Sequence, residues 1–154
     1  MPLNQFTTQS GWASITSDKS ETINIVSAGA YISPAFDSWA TTQYNLSYGG
    51  GMSINVNGLA GIYLLNCSFT TSGASNDTLA CRISYSYTDS GTQTITGHEV
   101  QYDSKGAKRW SVNQSTIMQI KNTEDGIFFP SFANLSNTND ITLYSFIMNA
   151  IKLY

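Results

Sequence analysis

Charged residues are scarce in this chain, which has 7 lysines and arginines, 10 aspartates and glutamates, and a net charge of -3. Nucleic-acid binding needs a basic face that neutralises phosphates, so this composition argues against a nucleic-acid partner. No apolar run is long enough to span a bilayer, and we expect no membrane insertion. The first residues lack the basic and apolar segments of a secretory signal. Low charge with abundant serine, threonine, asparagine and tyrosine is typical of an extracellular or virion surface.

Histidine is almost absent, because His98 is the only one. A Ser-His-Asp site needs a histidine beside a serine and a carboxylate, and no nucleophile-elbow pattern surrounds any serine. The adjacent Glu124 and Asp125 are typical of a solvated turn. We therefore expect no catalytic residue, no enzyme activity, and a surface or strand position for His98.

Clusters of metal ligands are also lacking. The two cysteines, Cys67 and Cys81, match no zinc spacing. Four aspartates fall in loops but lack the dense spacing of a dedicated calcium site, and they are Asp77, Asp89, Asp103 and Asp140. The sequence therefore predicts no metal and no cofactor.

The state of the two cysteines is left open by the sequence. Both lie among apolar neighbours, so buried thiols are the default expectation. In a simple hairpin around Ala74 they would lie opposite each other, and a bridge could form. In facing sheets a gap of roughly 10 Å would separate their strands.

Helical periodicity is missing, and only three prolines interrupt the chain. Short strands recur between turn signals, which indicates an antiparallel sandwich or barrel. Pro130 predicts an edge or a bulge in the strand at 127–133. A chain of 154 residues is long enough for one domain, which we place at 1–154, with 1–10 as a lead-in or attachment segment.

Two strands are apolar on both faces. In the strand after the turn at Gly58 and Gly61, one face carries Tyr63, Leu65, Cys67 and Phe69, and the other begins with Ile62 and Leu64. The last strand, from Ser145 to Tyr154, has the same character. A two-layer domain covers only one face of each sheet, so the second dry face predicts cover by another copy of the chain.

The strand at 78–88 alternates in the ordinary one-sided way. One face is apolar, and the other carries Ala80, Arg82, Ser84 and Ser86, which we expect in water. Aromatic residues could form a sugar- or protein-binding surface, although packing is the preferred interpretation for most of them. These residues are Trp39, Tyr44, Tyr48, Tyr85, Tyr87 and Tyr102.

The second half of the chain resembles a known superfamily. Gly-Ile-Tyr-Leu-Leu-Asn-Cys-Ser-Phe at 61–69 resembles the Gly-x-Tyr strand of complement globular heads and tumour necrosis factors. The segments at 79–84, at 115–129 and at the C-terminus are similar to later strands of that superfamily. The resemblance covers roughly residues 50–154 and implies an all-β, ten-strand antiparallel jelly roll that forms a tight trimer.

The resemblance also implies a trimer interface on the two-faced strands. We assign Tyr63, Leu65, Cys67, Phe69, Phe146 and Met148 to the core. We assign the opposite faces to the homotrimer interface, with Ile62, Leu64, Asn66, Ile147, Asn149 and Ile151 as its residues. A register error of one residue would exchange the two sets.

The chain departs from the vertebrate members of the superfamily because it shows no collagen-like stalk, membrane anchor or export signal. These departures favour the viral form of the fold, in which trimeric jelly rolls serve as spike heads, fibre knobs and capsid decorations. The expected function is a non-enzymatic virion head that contacts other virion proteins and binds a host-surface glycan or protein. The alternatives are a capsid decoration protein without a receptor, and a secreted trimeric ligand.

Overall fold

A computed structural model describes residues 10–34, 40–56, 58–89, 92–105, 109–120 and 126–154. The predicted lead-in at 1–10, except Ser10, and the predicted turn containing Glu124 and Asp125 lie outside these residues, as does Trp39. Side chains are described for all of these residues except 40, 87–89 and 92–96.

All regular structure in the described residues is β-strand. The strands are β1 (Trp12–Ser17), β2 (Glu21–Ile23), β3 (Ala40–Tyr44), β4 (Ser47–Tyr48), β5 (Ile54–Asn55), β6 (Gly61–Ser72), β7 (Asp77–Asp89), β8 (Thr92–Ser104), β9 (Trp110–Ile120), β10 (Ile127–Asn134) and β11 (Ile141–Lys152). The resemblance implies ten strands, and the described residues form eleven, of which β4 and β5 are only two residues long. No helix in the described ranges is long and apolar enough to cross a membrane.

The strands form two antiparallel sheets. Sheet A has the order β3-β1-β11-β6-β9, with β2 paired to β11 beyond β1. Sheet B has the order β4-β5-β10-β7-β8. In sheet B, β10 pairs with β5 only at Ile127 and Phe128, and Ile32 bridges to Phe132 on the same side. The sequence predicts an edge or a bulge at Pro130, whereas β10 is an inner strand that pairs with β7 without a register shift. Pro130 is tolerated because it lies between the two pairings on the other side of β10, where no ladder partner needs its missing N–H.

The core lies between the two sheets and contains the predicted inward residues. Six predicted core residues are each at most 1% exposed, and they are Tyr63, Leu65, Cys67, Phe69, Phe146 and Met148. Phe69 meets Phe132 of sheet B edge-on at 5.1 Å between ring centroids. The Tyr63 hydroxyl donates a hydrogen bond to the Leu59 carbonyl at 2.6 Å. The register of both two-faced strands is therefore confirmed.

Gly61 lets β6 pair with the last residues of the chain. Its φ is +154°, and a Cβ there would lie 2.0 Å from the backbone oxygen of Tyr154. Only glycine permits that approach. As a result, the Leu153 amide donates to the Ile62 carbonyl at 2.7 Å, and Leu153 lies beside Ile62 on the outer face of sheet A.

The cysteines lie in facing sheets, Cys67 on β6 and Cys81 on β7, and both are free, buried thiols. Burial raises the pKa of the Cys81 thiol, and a hydrogen bond with Cys67 raises it further. We expect neither thiol to react with a thiol reagent at pH 8 in the native protein, because both are buried. At Cys81 the raised pKa also disfavours thiolate, which is the reactive form. Both should react in urea. Rapid labelling of the native chain would contradict this packing.

One predicted surface is buried instead. Ala80 and Ser84 are fully buried, and Ser86 is nearly so, although the sequence places the Ala80, Arg82, Ser84 and Ser86 face of β7 in water. The Arg82 side chain lies across this face, where its Nε donates to Ser84 Oγ at 3.0 Å. The Arg82 guanidinium is stacked 4.0 Å from the ring centroid of Tyr31, in the segment before β3.

Candidate assembly face

The outer face of sheet A, which we call the assembly face, is formed by the outward side chains of β3, β1, β11, β6 and β9. Buried residues alternate with exposed or half-buried ones along β6 and, apart from the register shift between Leu143 and Ser145, along β11. The described side chains of β3 are all exposed. The six residues predicted for the trimer interface all lie on this face. Their placement follows directly from the confirmed inward register of β6 and β11.

Cross-strand pairing aligns five large apolar side chains into one row. Trp12 pairs with Tyr44 and with Ile151, Ile151 with Leu64, and Leu64 with Ile117. This apolar row, Tyr44–Trp12–Ile151–Leu64–Ile117, crosses all five strands of the face, a width of roughly 19 Å at the usual strand spacing. Exposure reaches 62% at Ile117 and 55% at Tyr44. The row therefore spans the full width of the assembly face.

A second row, two residues further along each strand, is entirely polar. It consists of Thr42, Ser14, Asn149, Asn66 and Ser115. Asn66 is exposed and Asn149 is half-buried. Beyond this polar row, the next outward residue of β11 is Ile147, an apolar side chain that is 43% exposed. The assembly face therefore carries an apolar row beside a polar row, and Ile147 beyond them has Thr16 and Ser68 as its cross-strand neighbours.

A depression of about 200 Å³ lies where the two rows meet, and it is mostly apolar. Its lining consists of Trp12, Ala13, Ser14, Leu64, Asn66, Asn149 and Ile151. The structure thus brings together four of the six predicted interface residues, while Ile62 and Ile147 lie elsewhere on the same face. Ligand pockets usually begin at roughly 300 Å³. The depression is therefore better suited to a single side chain than to a small-molecule ligand.

The assembly face carries no lysine, arginine, aspartate or glutamate among its described outward residues on these five strands. Charge is instead found on the outer face of sheet B. There the Tyr31 hydroxyl donates a hydrogen bond to the Glu99 carboxylate. That bond, followed by a second from Gln101, lowers the pKa of Glu99. The described outward residues of the five strands of sheet A are therefore uncharged, and a charged group beside them is the Arg109 guanidinium, 3.8 Å from the ring centroid of Tyr144 beside Ser72. The outer face of sheet B carries charge on its own strands.

The residues that the sequence analysis considered for catalysis or metal binding do not form a common site in the described ranges. His98 is exposed on β8, as expected of a strand residue, and its carbonyl accepts a hydrogen bond from Gln114 Nε2 at 2.7 Å. Asp103 accepts from the Thr78 hydroxyl, and Asp140 accepts from the Ile25 amide. The side chain of Asp89 is outside the described part. No group of three or more potential metal ligands occurs within the described ranges.

Asp77 is buried and hydrogen-bonded rather than exposed in a loop. Its carboxylate accepts from Asn134 Nδ2 at 2.9 Å and from Asn137 Nδ2 at 2.6 Å. Asn134, which directly follows the strand predicted at 127–133, is fully buried at the end of β10. These hydrogen bonds attach the loop between β10 and β11 to Asp77 at the start of β7. The sequence pattern gave no signal for this contact.

The candidate aromatic surface divides between core and exterior. Tyr85 is buried in the core, and Tyr102 packs against the core cluster. The hydroxyl groups of Tyr102 and Thr71 are hydrogen-bonded at 2.8 Å. Tyr44 and Tyr48 are exposed. Trp39 and the Tyr87 side chain are not among the described groups. The preference for packing is confirmed at Tyr85 and Tyr102, whereas Tyr44 belongs to the apolar row.

Several solved structures share this architecture over nearly the whole chain. The match to murine APRIL covers 94% of this chain and 100% of the APRIL chain, with a TM-score of 0.61 and 13% sequence identity. The globular domain of zebrafish complement 1qA matches 95% and 98%, with a TM-score of 0.63 and 10% identity. Eiger TNF from S. frugiperda matches 95% and 94%, with a TM-score of 0.64 and 14% identity.

These matches define the class of fold. The chain has the tumour necrosis factor-like jelly roll that complement globular heads share, as the resemblance in the sequence predicted. At this level of identity the likeness concerns the fold alone. No protein-family model and no curated protein matches the sequence.

Proposed function

We propose that this chain is a non-enzymatic, single-domain head that assembles as a homotrimer through the assembly face. The apolar row carries the proposal, because monomeric proteins rarely expose contiguous apolar patches that are rimmed by polar residues. Ile62, Leu64, Asn66, Ile147, Asn149 and Ile151 form the interface in this proposal. Trp12, Tyr44, Ile117 and Leu153 extend it, because they lie on the same face and are exposed.

A second copy is the occupant that best suits this face. Identical surfaces that carry charge repel one another unless the charges are paired, and the assembly face has no charged side chain on its described strands. It also offers each copy both apolar protrusions, such as Ile117, and a depression of the size of a side chain. The resemblance to tumour necrosis factors and complement heads implies a trimer rather than a dimer.

The finer proposal is a spike or fibre head on a virion surface that contacts other virion proteins and binds a host-surface glycan or protein. Low charge and abundant small polar residues support an exposed location. A head of this kind can tolerate weak individual sites, because three linked sites raise avidity. The alternatives are a capsid decoration protein and a secreted ligand with the same trimeric architecture.

Binding to host cells tests the finer proposal. Fluorescently labelled wild-type protein should bind saturably to susceptible cells, and an excess of unlabelled protein should compete. The avidity argument predicts that a variant that cannot assemble binds at least ~100-fold more weakly than the trimer. Absence of saturable binding on every cell type would contradict a receptor-binding head and favour decoration of a capsid.

A further inference from the structure

We propose that the polar row, above all Asn66 and Asn149, fixes the alignment and the number of copies in the assembly. This inference rests on the proposed trimer and concerns the same face. Asn66 and Asn149 are direct cross-strand partners on β6 and β11, and both line the depression beside the apolar row. They therefore occupy the central strands of the assembly face rather than its rim.

The amides of both residues have unused hydrogen-bonding capacity. Neither side chain makes a hydrogen bond within the part of the chain that the structure describes. A primary amide offers two donors and an acceptor with two lone pairs. In an assembled head these groups lose water, and a buried polar group left without partners is destabilising. The other copies must therefore supply the partners.

The two rows make that requirement specific to one alignment. The polar row lies two residues from the apolar row along each strand, which is roughly 7 Å. A neighbouring copy that slips by one row would bring Asn66 and Asn149 against Leu64 and Ile151. Such an alignment buries amides without partners, whereas the apolar row alone would tolerate the slip. The amides thus disfavour wrong alignments more than they strengthen the correct one.

Cyclic symmetry provides a way to satisfy the amides. In a closed ring each copy presents the same residue to a neighbour on either side. An amide can donate to one neighbour and accept from the other, which a carboxylate or an aliphatic side chain cannot do at neutral pH. A single buried asparagine selects register and oligomeric state in coiled coils by the same logic. We assign that role to Asn66 and Asn149 here.

The test replaces both amides with aliphatic groups of similar size. In native mass spectrometry and sedimentation velocity, wild-type protein should give one trimeric species. The double variant Asn66→Leu with Asn149→Leu should lose that uniformity and divide between the trimer and other oligomers. Gln101→Leu is the matched control, because it makes a similar amide-to-leucine change on the exposed outer face of sheet B, and it should remain a uniform trimer.

A second variant covers the case in which the double variant does not fold. Asn66→Asp keeps the shape of the side chain, and it should dissociate the trimer at pH 7 and allow it to reform near about pH 4, where the carboxyl group becomes protonated. A double leucine variant that remains a uniform trimer, with an unchanged dissociation concentration, would overturn this inference alone. An Asn66→Asp protein that stays trimeric at pH 7 would do the same. A monomeric wild-type chain would overturn both the inference and the proposed function.

Discussion

Replacing Leu64 with aspartate is expected to convert the trimer into monomers that keep the jelly-roll fold. Leu64 lies at the centre of the assembly face between Ile151 and Ile117, and its side chain points away from the core. Assembly would bury a carboxylate in each copy without a counter-charge. Each uncompensated buried charge costs about 3–5 kcal/mol, and every copy in the trimer would carry one.

The measurement is sedimentation velocity over a dilution series, with far-ultraviolet circular dichroism as the test of folding. Val26→Asp is the matched control, because Val26 is 77% exposed, lies outside the strands and undergoes the same change from apolar to acidic. The control should assemble like the wild-type chain. A Leu64→Asp protein that remains a trimer of unchanged stability would show that this face is not the interface.

Replacing Asn134 with leucine is expected to destabilise the fold by about 3 kcal/mol. The buried Asn134 amide donates to Asp77 and to the Asn139 carbonyl, while its oxygen accepts from the Ser136 and Asn137 amides. Leucine has a similar size but supplies none of these bonds. The Asp77 carboxylate, only 2% exposed, would lose one of its donors, and a charged acceptor that loses a buried partner carries a large penalty.

Urea denaturation monitored by circular dichroism measures this effect. Asn24→Leu is the matched control, because Asn24 is exposed and lies outside the strands. The control should unfold within about 0.5 kcal/mol of the wild-type chain. If Asn134→Leu unfolds at the wild-type urea concentration, the Asp77 network contributes little and the loop is held by other contacts.

The faces of β6 and β11 could be predicted from the sequence because β6 alternates along its whole length and β11 alternates after the register shift between Leu143 and Ser145. A period of two over such a stretch leaves only two assignments of inside and outside. The longer apolar set, from Tyr63 to Phe69, decided between them, and the structure has it in the core. The outward position of the six residues proposed for the interface followed from the same alternation, which is local information.

Trp12, Tyr44 and Ile117 could not be added to that face from sequence. Their strands are shorter or less regular, and their place in the apolar row depends on pairing between segments that are distant in the chain. Trp12 meets Ile151, for example, only through the β1–β11 register. Such register is set by the whole sheet, so no local pattern around Trp12 reveals its neighbours.

Two errors had the same origin, in that polarity was equated with exposure. The outer face of β7 looks solvated because it carries arginine and serines, yet Arg82 lies across it and buries Ser84. Asn134 looks like a loop residue because of its polar neighbours, yet it organises a buried turn. In both cases hydrogen bonds to distant residues satisfy the polar groups, and a sequence pattern does not show those partners.

The solution mass of the wild-type protein, measured by light scattering after size exclusion at low concentration, tests the account most directly. A stable species of three chains, each of 16.8 kDa, is the predicted result. It would show that the second dry face of β6 and β11 is covered by other copies. A monomer at every concentration would contradict the account and mean that the apolar row of the assembly face remains open to solvent or serves a different partner.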